Sequence, residues 1–214
     1  MKESDCSALA NFGTGSQISM VGRLPGGADG DIEQRPYLNG SFLVSGSALC
    51  GGRAYALLER FFAAYAGRLG VDEPQYTLLN RLAAEGVDRP LDVRATFCGR
   101  RSDPLLRGEI RGIGEDNFTP EGLAAGVLYG MAEELHAMFA AMTPQRPVTT
   151  LAASGNAVRL NPALRQVLAR VFGMAVKIPV HTEEAAHGAA MYASLAAGLV
   201  RQDELGDFIT YLEE

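Results

Sequence analysis

Asn11-Phe12-Gly13-Thr14-Gly15-Ser16-Gln17-Ile18-Ser19 is the stretch on which the reading of this chain turns. A short apolar run, Ala8–Phe12, enters it, and a roughly alternating run, Gln17–Val21, leaves it. Apolar runs on either side of a Gly-built turn read as a β-hairpin. Two explanations cover the glycines. A tight turn needing positive φ selects them for backbone freedom alone. A phosphate-binding turn selects them because a backbone without Cβ can approach an anion and present consecutive N–H groups, with Thr14 and Ser16 adding hydroxyl donors.

A second Gly turn, Ser154-Gly155-Asn156, follows the strand-like run Val148–Ala152. Neither turn fits the common nucleotide motifs. The GxxxxGK loop is absent, and Gly13 opens a hairpin rather than a helix, which counts against a dinucleotide-binding GxGxxG turn. Two separate Gly turns, one per half of the fold, suit a nucleotide clasped between subdomains.

From Gly52 the period becomes helical, with Tyr55, Leu58, Phe62, Tyr65 and Leu69 at three- and four-residue spacing and Gly70 as a stop. A shorter helix is expected over Pro74–Ala84, and strands over Tyr37–Val44 (around Asn39-Gly40), Leu91–Phe97, Gly108–Ile113 and Ala175–Ile178. Thr119-Pro120-Glu121 supplies an N-cap, a first-turn Pro and an acid at the positive end of the dipole. Behind it Leu123, Val127, Met131, Leu135, Met138, Phe139 and Met142 draw an apolar stripe, and Gly126 and Gly130 leave a flat strip for another backbone. Asn161-Pro162 caps a helix with Leu164, Val167, Leu168, Val171 and Phe172 inside and Gly173 closing it, and a last helix runs from Glu183 to about Leu199. Strands and helices in one alternating run, with no linker, read as a single α/β domain over 1–214.

Composition excludes other classes. The 214 residues carry 19 basic and 25 acidic side chains, a net charge of −6. That balance argues against a nucleic-acid partner, which demands a basic face. The uncharged stretches Cys6–Gly22 and Pro36–Gly52 are too short and too rich in Gly and Ser to span a bilayer, so no membrane partner is expected. Lys2 followed by Glu3 and Asp5 is not signal-peptide chemistry, and a cytoplasmic protein is the expectation. Cys6, Cys50 and Cys98 form no CxxC pair, so neither a disulfide framework nor a zinc site is implied.

Few side chains present themselves for chemistry. Asn161 reads first as a helix cap and second as a hydrogen-bonding group for a ribose or base at the same helix mouth. Tyr55 belongs to an apolar stripe, yet beside Gly51 and Gly52 it borders a possible base pocket. His136, His181 and His187 make no metal set; His136 is expected to face solvent, and His187 to be packed or partner-facing. Ser154 lacks a GxSxG elbow and a placed base, so a stand-alone enzyme built on Ser154 or Cys98 is disfavoured. Arg100, Arg101, Arg107 and Arg111 read as a solvated loop, and Glu115-Asp116 as an exposed turn.

Taken in order, these segments resemble the C-terminal half of an FGGY-family carbohydrate kinase. Asn11–Ser19 resembles the family's second phosphate-binding turn. Arg35-Pro36-Tyr37 with Ser45–Ala56, SGSALCGGRAYA, resembles the segment leading into the helix beside the adenine. Phe97–Ile113, FCGRRSDPLLRGEIRGI, is similar to the family's arginine-bearing loop. Ser154–Phe172 resembles the adenosine turn and its helix, and Glu183–Ala190, EEAAHGAA, the final helix. The flavour is closest to the sedoheptulokinase-like branch. The chain departs from the family in reading SGN where GGG is common.

The resemblance implies an actin-like, ribonuclease-H-type domain that binds ATP or ADP with Mg2+. It implies that Gly13, Thr14, Gly15 and Ser16 cradle the terminal phosphates and that Gly51 and Tyr55 line the base pocket. Ser154, Gly155, Asn156 and Asn161 would hold the adenosine side. It implies a sugar partner, a ketose such as sedoheptulose, only together with an N-terminal half, which carries the sugar contacts and an Asp base. No residue here is assigned as catalytic or as a metal ligand, since Glu3 and Asp5 lie too near the turn, and the chain alone is expected not to be competent. The alternative is a non-catalytic nucleotide-binding or interaction module that keeps the fold. A homodimer is expected, through Gly122–Gly130, Ala185–Ala197 and Ala8–Phe12 as candidate faces.

Overall fold

The computed structural model describes residues 7–27 and 30–212. Glu3, Asp5 and Cys6 lie outside the described residues. The expected hairpin is present: β1 (Ser7–Phe12) and β2 (Ser16–Arg23) pair antiparallel, with Phe12 opposite Ser16 and Leu9 opposite Ser19. β3 (Ile32–Pro36) and β4 (Phe42–Ala48) extend this sheet, β4 pairing with β2 and β3 with β4, both antiparallel. The strand expected over Tyr37–Val44 is thus displaced: Leu38–Gly40 form a short 3-10 turn and the strand proper starts at Phe42. β3 itself gave no apolar alternation, because an edge strand ending in Glu-Gln-Arg-Pro keeps most of its side chains exposed.

The helices lie close to their expected places. α1 (Gly51–Gly67) and α2 (Tyr76–Gly86) follow β4. A separate two-stranded sheet, β5 (Asp92–Arg94) with β6 (Glu109–Arg111), is shorter at both strands than the apolar runs suggested. α3 (Pro120–Ala140) begins as its signals require, with Thr119 Oγ1 accepting from the Gly122 N–H at 3.1 Å. β7 (Thr143–Pro144) then touches the end of β2. β8 (Thr150–Ser154), α4 (Asn156–Leu160), α5 (Pro162–Phe172), β9 (Ala175–Lys177) and α6 (Glu184–Ala196) complete the fold.

The main sheet runs β3-β4-β2-β1-β8-β9, with β8 parallel to β1 and β9 parallel to β8. Three antiparallel strands followed by two parallel ones, in the order β4-β2-β1-β8-β9, are the ribonuclease-H-type topology of an actin-like domain. One consequence positions the site. Because β1 and β8 are parallel, both Gly turns leave the same edge of the sheet, where ligands collect in open α/β folds.

The core lies on one face. Ala8, Ala10, Phe12, Ile18, Met20, Val44, Leu151 and Ala153 are buried beneath α3 and α5. α3 is apolar nearly all round and buried accordingly, packing on α1, α2, α5, β5 and the sheet. Its glycine strip does admit another backbone, but that of this chain: a Cβ at Gly126 would come within 2.5 Å of the Leu91 carbonyl, and one at Gly130 would overlap that of Val93. Gly122–Gly130 is therefore filled internally and is not a face for a second copy. Ala8–Phe12 is central in the sheet and excluded likewise. Of the three proposed faces only α6 stays open, with no buried residue. Among the described residues no helix is long and apolar enough to cross a membrane.

Candidate nucleotide site

The first Gly turn is held by the helix that follows it in space. Gly52 N–H donates to the Gly13 carbonyl at 2.9 Å and Arg53 N–H to that of Thr14 at 3.0 Å. A trans peptide holds its C=O and N–H on opposite sides. With both carbonyls directed at α1, the N–H groups of Thr14 and Gly15 point away from that helix, and Gly13 and Thr14 are exposed. This is the polarity an anion requires.

Gly15 is selected for close approach rather than for positive φ. Neither Gly13 nor Gly15 has a left-handed backbone. A Cβ at Gly15 would sit 2.8 Å from the Ala48 carbonyl, and one at Gly51 would sit 2.5 Å from the Gly15 carbonyl and 2.6 Å from the Ser16 nitrogen. Turn and helix meet backbone to backbone, and only glycine allows it. Ser16 is buried with its hydroxyl unpartnered.

The second turn abuts the first. Ser154 pairs with Asn11 across β8 and β1, and Gly155, at φ 95°, is packed so tightly that a Cβ would overlap the Phe12 carbonyl. Asn156 starts α4 and is exposed. Asn161 caps α5, its Oδ1 accepting from the N–H groups of Ala163 at 3.0 Å and Leu164 at 3.3 Å. That leaves its Nδ2, buried in a residue only 4% exposed, with no partner. Tyr55, one turn into α1, also has a buried hydroxyl without a hydrogen bond. Burial pushes the Tyr55 phenol up; the Asn161 amide stands close enough to offset part of this, though out of hydrogen-bonding geometry. Two adjacent orphaned polar atoms, each costing about 1–3 kcal/mol when left unmet, mark where the polar edge of a ligand would be compensated.

The structure thus gathers Gly13, Thr14, Gly15, Ser16, Gly51, Tyr55, Gly155 and Asn161 around one junction. Ser154 departs from the group: its side chain lies on the other face of the sheet with Leu9, Asn11 and Ala152. There it lines a cavity of about 650 Å³ roofed by α6 and the segment Gln202–Tyr211. This cavity holds none of the other expected site residues. The arginine loop has its own partners: Arg100 pairs with buried Glu134 at 3.2 Å, Arg111 with Glu109, and Arg107 bonds carbonyls of its own loop. His136, expected in solvent, is half-buried against Phe172, edge to face at 5.1 Å. His187 is packed as one alternative had it, stacked on His181 at 3.9 Å. One contributor had no sequence signal. Arg159 donates to the Pro179 carbonyl at 2.7 Å and to Glu184 at 2.9 Å, tying α4 beside the second turn to the start of α6.

Residues 8–197 match the FGGY family of carbohydrate kinases, C-terminal domain. A glycerol kinase from Alcanivorax borkumensis is 42% identical over 100 residues, which are 45% of this chain and 20% of that protein. The ligand-bound xylulose kinase of Lactobacillus acidophilus superposes with a TM-score of 0.80 at 18% identity, covering 98% of this chain and 42% of that one. Plasmodium falciparum glycerol kinase with ADP does so with a TM-score of 0.70 at 14% identity, again over 42% of its length. The chain spans less than half the length of these kinases. With a match over nearly its whole length and the fold to go with it, the chain belongs to the FGGY family of carbohydrate kinases, as its C-terminal domain.

Proposed function

We propose that this chain is the nucleotide-binding half of an ATP-dependent carbohydrate kinase, with ATP or ADP held across the junction of the two Gly turns. The observation that carries the reading is the pairing of an outward-facing amide turn at Gly13–Ser16 with the orphaned Tyr55 hydroxyl and Asn161 amide beside it. The N–H groups of Thr14 and Gly15, with the Thr14 and Ser16 hydroxyls, meet the terminal phosphates. Gly51 and Tyr55 border the base. Gly155, Asn156 and Asn161 hold the adenosine side, with Ser154 contributing through its backbone.

Bound ATP supplies the transferable phosphoryl group, and the residues of this chain bind and orient it. Among the described residues no three His, Cys, Asp or Glu converge on a metal position. Mg2+ would then be held chiefly by phosphate oxygens and water, a mode suited to that ion. The acceptor is a sugar hydroxyl; a ketose such as sedoheptulose follows from the resemblance, and the similar structures, those of xylulose, gluconate and glycerol kinases, support the broader class. Phosphoryl transfer needs donor and acceptor positioned together. We place the sugar contacts and the base in a part of the protein outside these residues, since the chain spans only 42% of the xylulose kinase it resembles. A cytoplasmic location and a homodimer using the open face of α6 belong to the same proposal.

Calorimetric titration with MgADP is the test. Saturable binding near one site per chain, with no sugar phosphorylation by the chain alone, is expected. Absence of binding, even after a kinase N-terminal half is added, would overturn the reading.

A further inference from the structure

Cys50 and Cys98 are separated by 48 positions, yet the fold sets their sulfurs 3.0 Å apart. Both are free thiols. Cys50 occupies the N-cap position of α1 and is 2% exposed, while Cys98 is half-buried in the loop between β5 and β6. Their surroundings make the pair more than a packing accident. Gly51, next to Cys50, lies against the backbone of Gly15 and Ser16, and the Gly52 N–H is bonded to Gly13. The loop bearing Cys98 is anchored to α3 by Arg100 on Glu134. A bond between the sulfurs would join the support of the first Gly turn to that anchored loop.

We propose that Cys50 and Cys98 are a dithiol modification site, at which a hydroperoxide forms a disulfide tying the first turn of α1 to the β5–β6 loop. The more exposed Cys98 thiolate attacks a peroxide oxygen. The O–O bond breaks, the remaining oxygen leaves as water or an alcohol, and Cys98 carries a sulfenic acid. The Cys50 sulfur then attacks Cys98 Sγ. The S–O bond breaks, and the hydroxyl departs as water with the proton Cys50 gives up. The two thiols lose two electrons and two protons, and the peroxide takes up both. Closing from 3.0 Å to a disulfide length requires about 1 Å of movement, within reach of side-chain rotation. Burial, with Cys98 beside it, pushes the Cys50 thiol up to about 12, so Cys98 is the member of the pair placed to meet the peroxide first. The proposal does not depend on nucleotide binding.

The test uses the chain with Cys6→Ser, treated with hydrogen peroxide and mapped without reduction. A peptide linking Cys50 to Cys98 within one chain is expected, with slowed amide exchange at residues 51–55, both reversed by dithiothreitol. Cys98→Ser in the same background should abolish both effects. Conversion of Cys98 to a sulfinic acid with Cys50 left free, cross-linking between chains, or a link without slower exchange would overturn the proposal. The mapping of the Cys6→Ser chain decides the matter even if the Cys98→Ser variant fails to fold.

Discussion

Asn161 carries two separable roles in one side chain. Oδ1 caps α5, and Nδ2 is the unpartnered donor beside Tyr55. Asn161→Ala removes both and should cost about 1 kcal/mol of stability through the lost cap. Asn161→Ser keeps a capping oxygen and loses the amide donor. Both variants should weaken ADP binding roughly 3–10-fold, the worth of one hydrogen bond, while only the alanine variant lowers the Tm. Thermal denaturation beside calorimetry checks the split. A second residue sets a pH dependence. Burial pushes the Glu134 carboxyl up, and Arg100 pulls it only partly back. A raised folded pKa means that folding favours the protonated form. Its contribution is full below the ordinary Glu range and is lost as pH rises through the folded value. The stability of the native chain relative to Glu134→Gln should therefore fall across that window in urea titrations, and an unchanging difference would count against a raised Glu134 carboxyl. The capping role of Asn161 was legible from Asn-Pro ahead of an apolar stripe. Its orphaned amide was not, because it depends on Tyr55 arriving from another helix.

Elements show the same division between local and distant causes. α3, α5 and the β1–β2 hairpin were legible because caps, glycine stops and apolar periods are written within a few residues of one another. The short β5 and β6 were misjudged in length, since pairing ends where the strands part and not where apolar residues stop. β3 was missed because an exposed edge carries little apolar signal. The strip on α3 was read correctly as a place for close backbone approach, but its occupant, β5, lies nearby in sequence and fills it. Gly130→Ala should therefore destabilise the fold by about 1–3 kcal/mol, the usual cost of overpacking, because the Val93 carbonyl stands in the way. Gly188→Ala in α6 meets nothing within 4 Å. It should stabilise by about 0.5–1 kcal/mol, as Gly-to-Ala changes inside helices do. Denaturant midpoints of the two variants should move in opposite directions.

At the scale of the whole molecule, topology does what no single motif does. The parallel pairing of β1 with β8 brings residues 13–16 and 154–156 to one sheet edge from distant parts of the chain. The order of the motifs made this legible. The cavity under α6 was not, because its lining is drawn from both sheet and tail. With the other faces filled, association should depend on α6: sedimentation at high concentration should show a dimer that Ala193→Glu dissociates. The central claim is the place of the nucleotide. Backbone amide spectra recorded during titration with ADP test it most directly. The account predicts shifts concentrated at residues 13–16, 51–55 and 155–161, with little change along 184–211. Shifts confined to the cavity beneath α6, or none at saturating ADP, would contradict it.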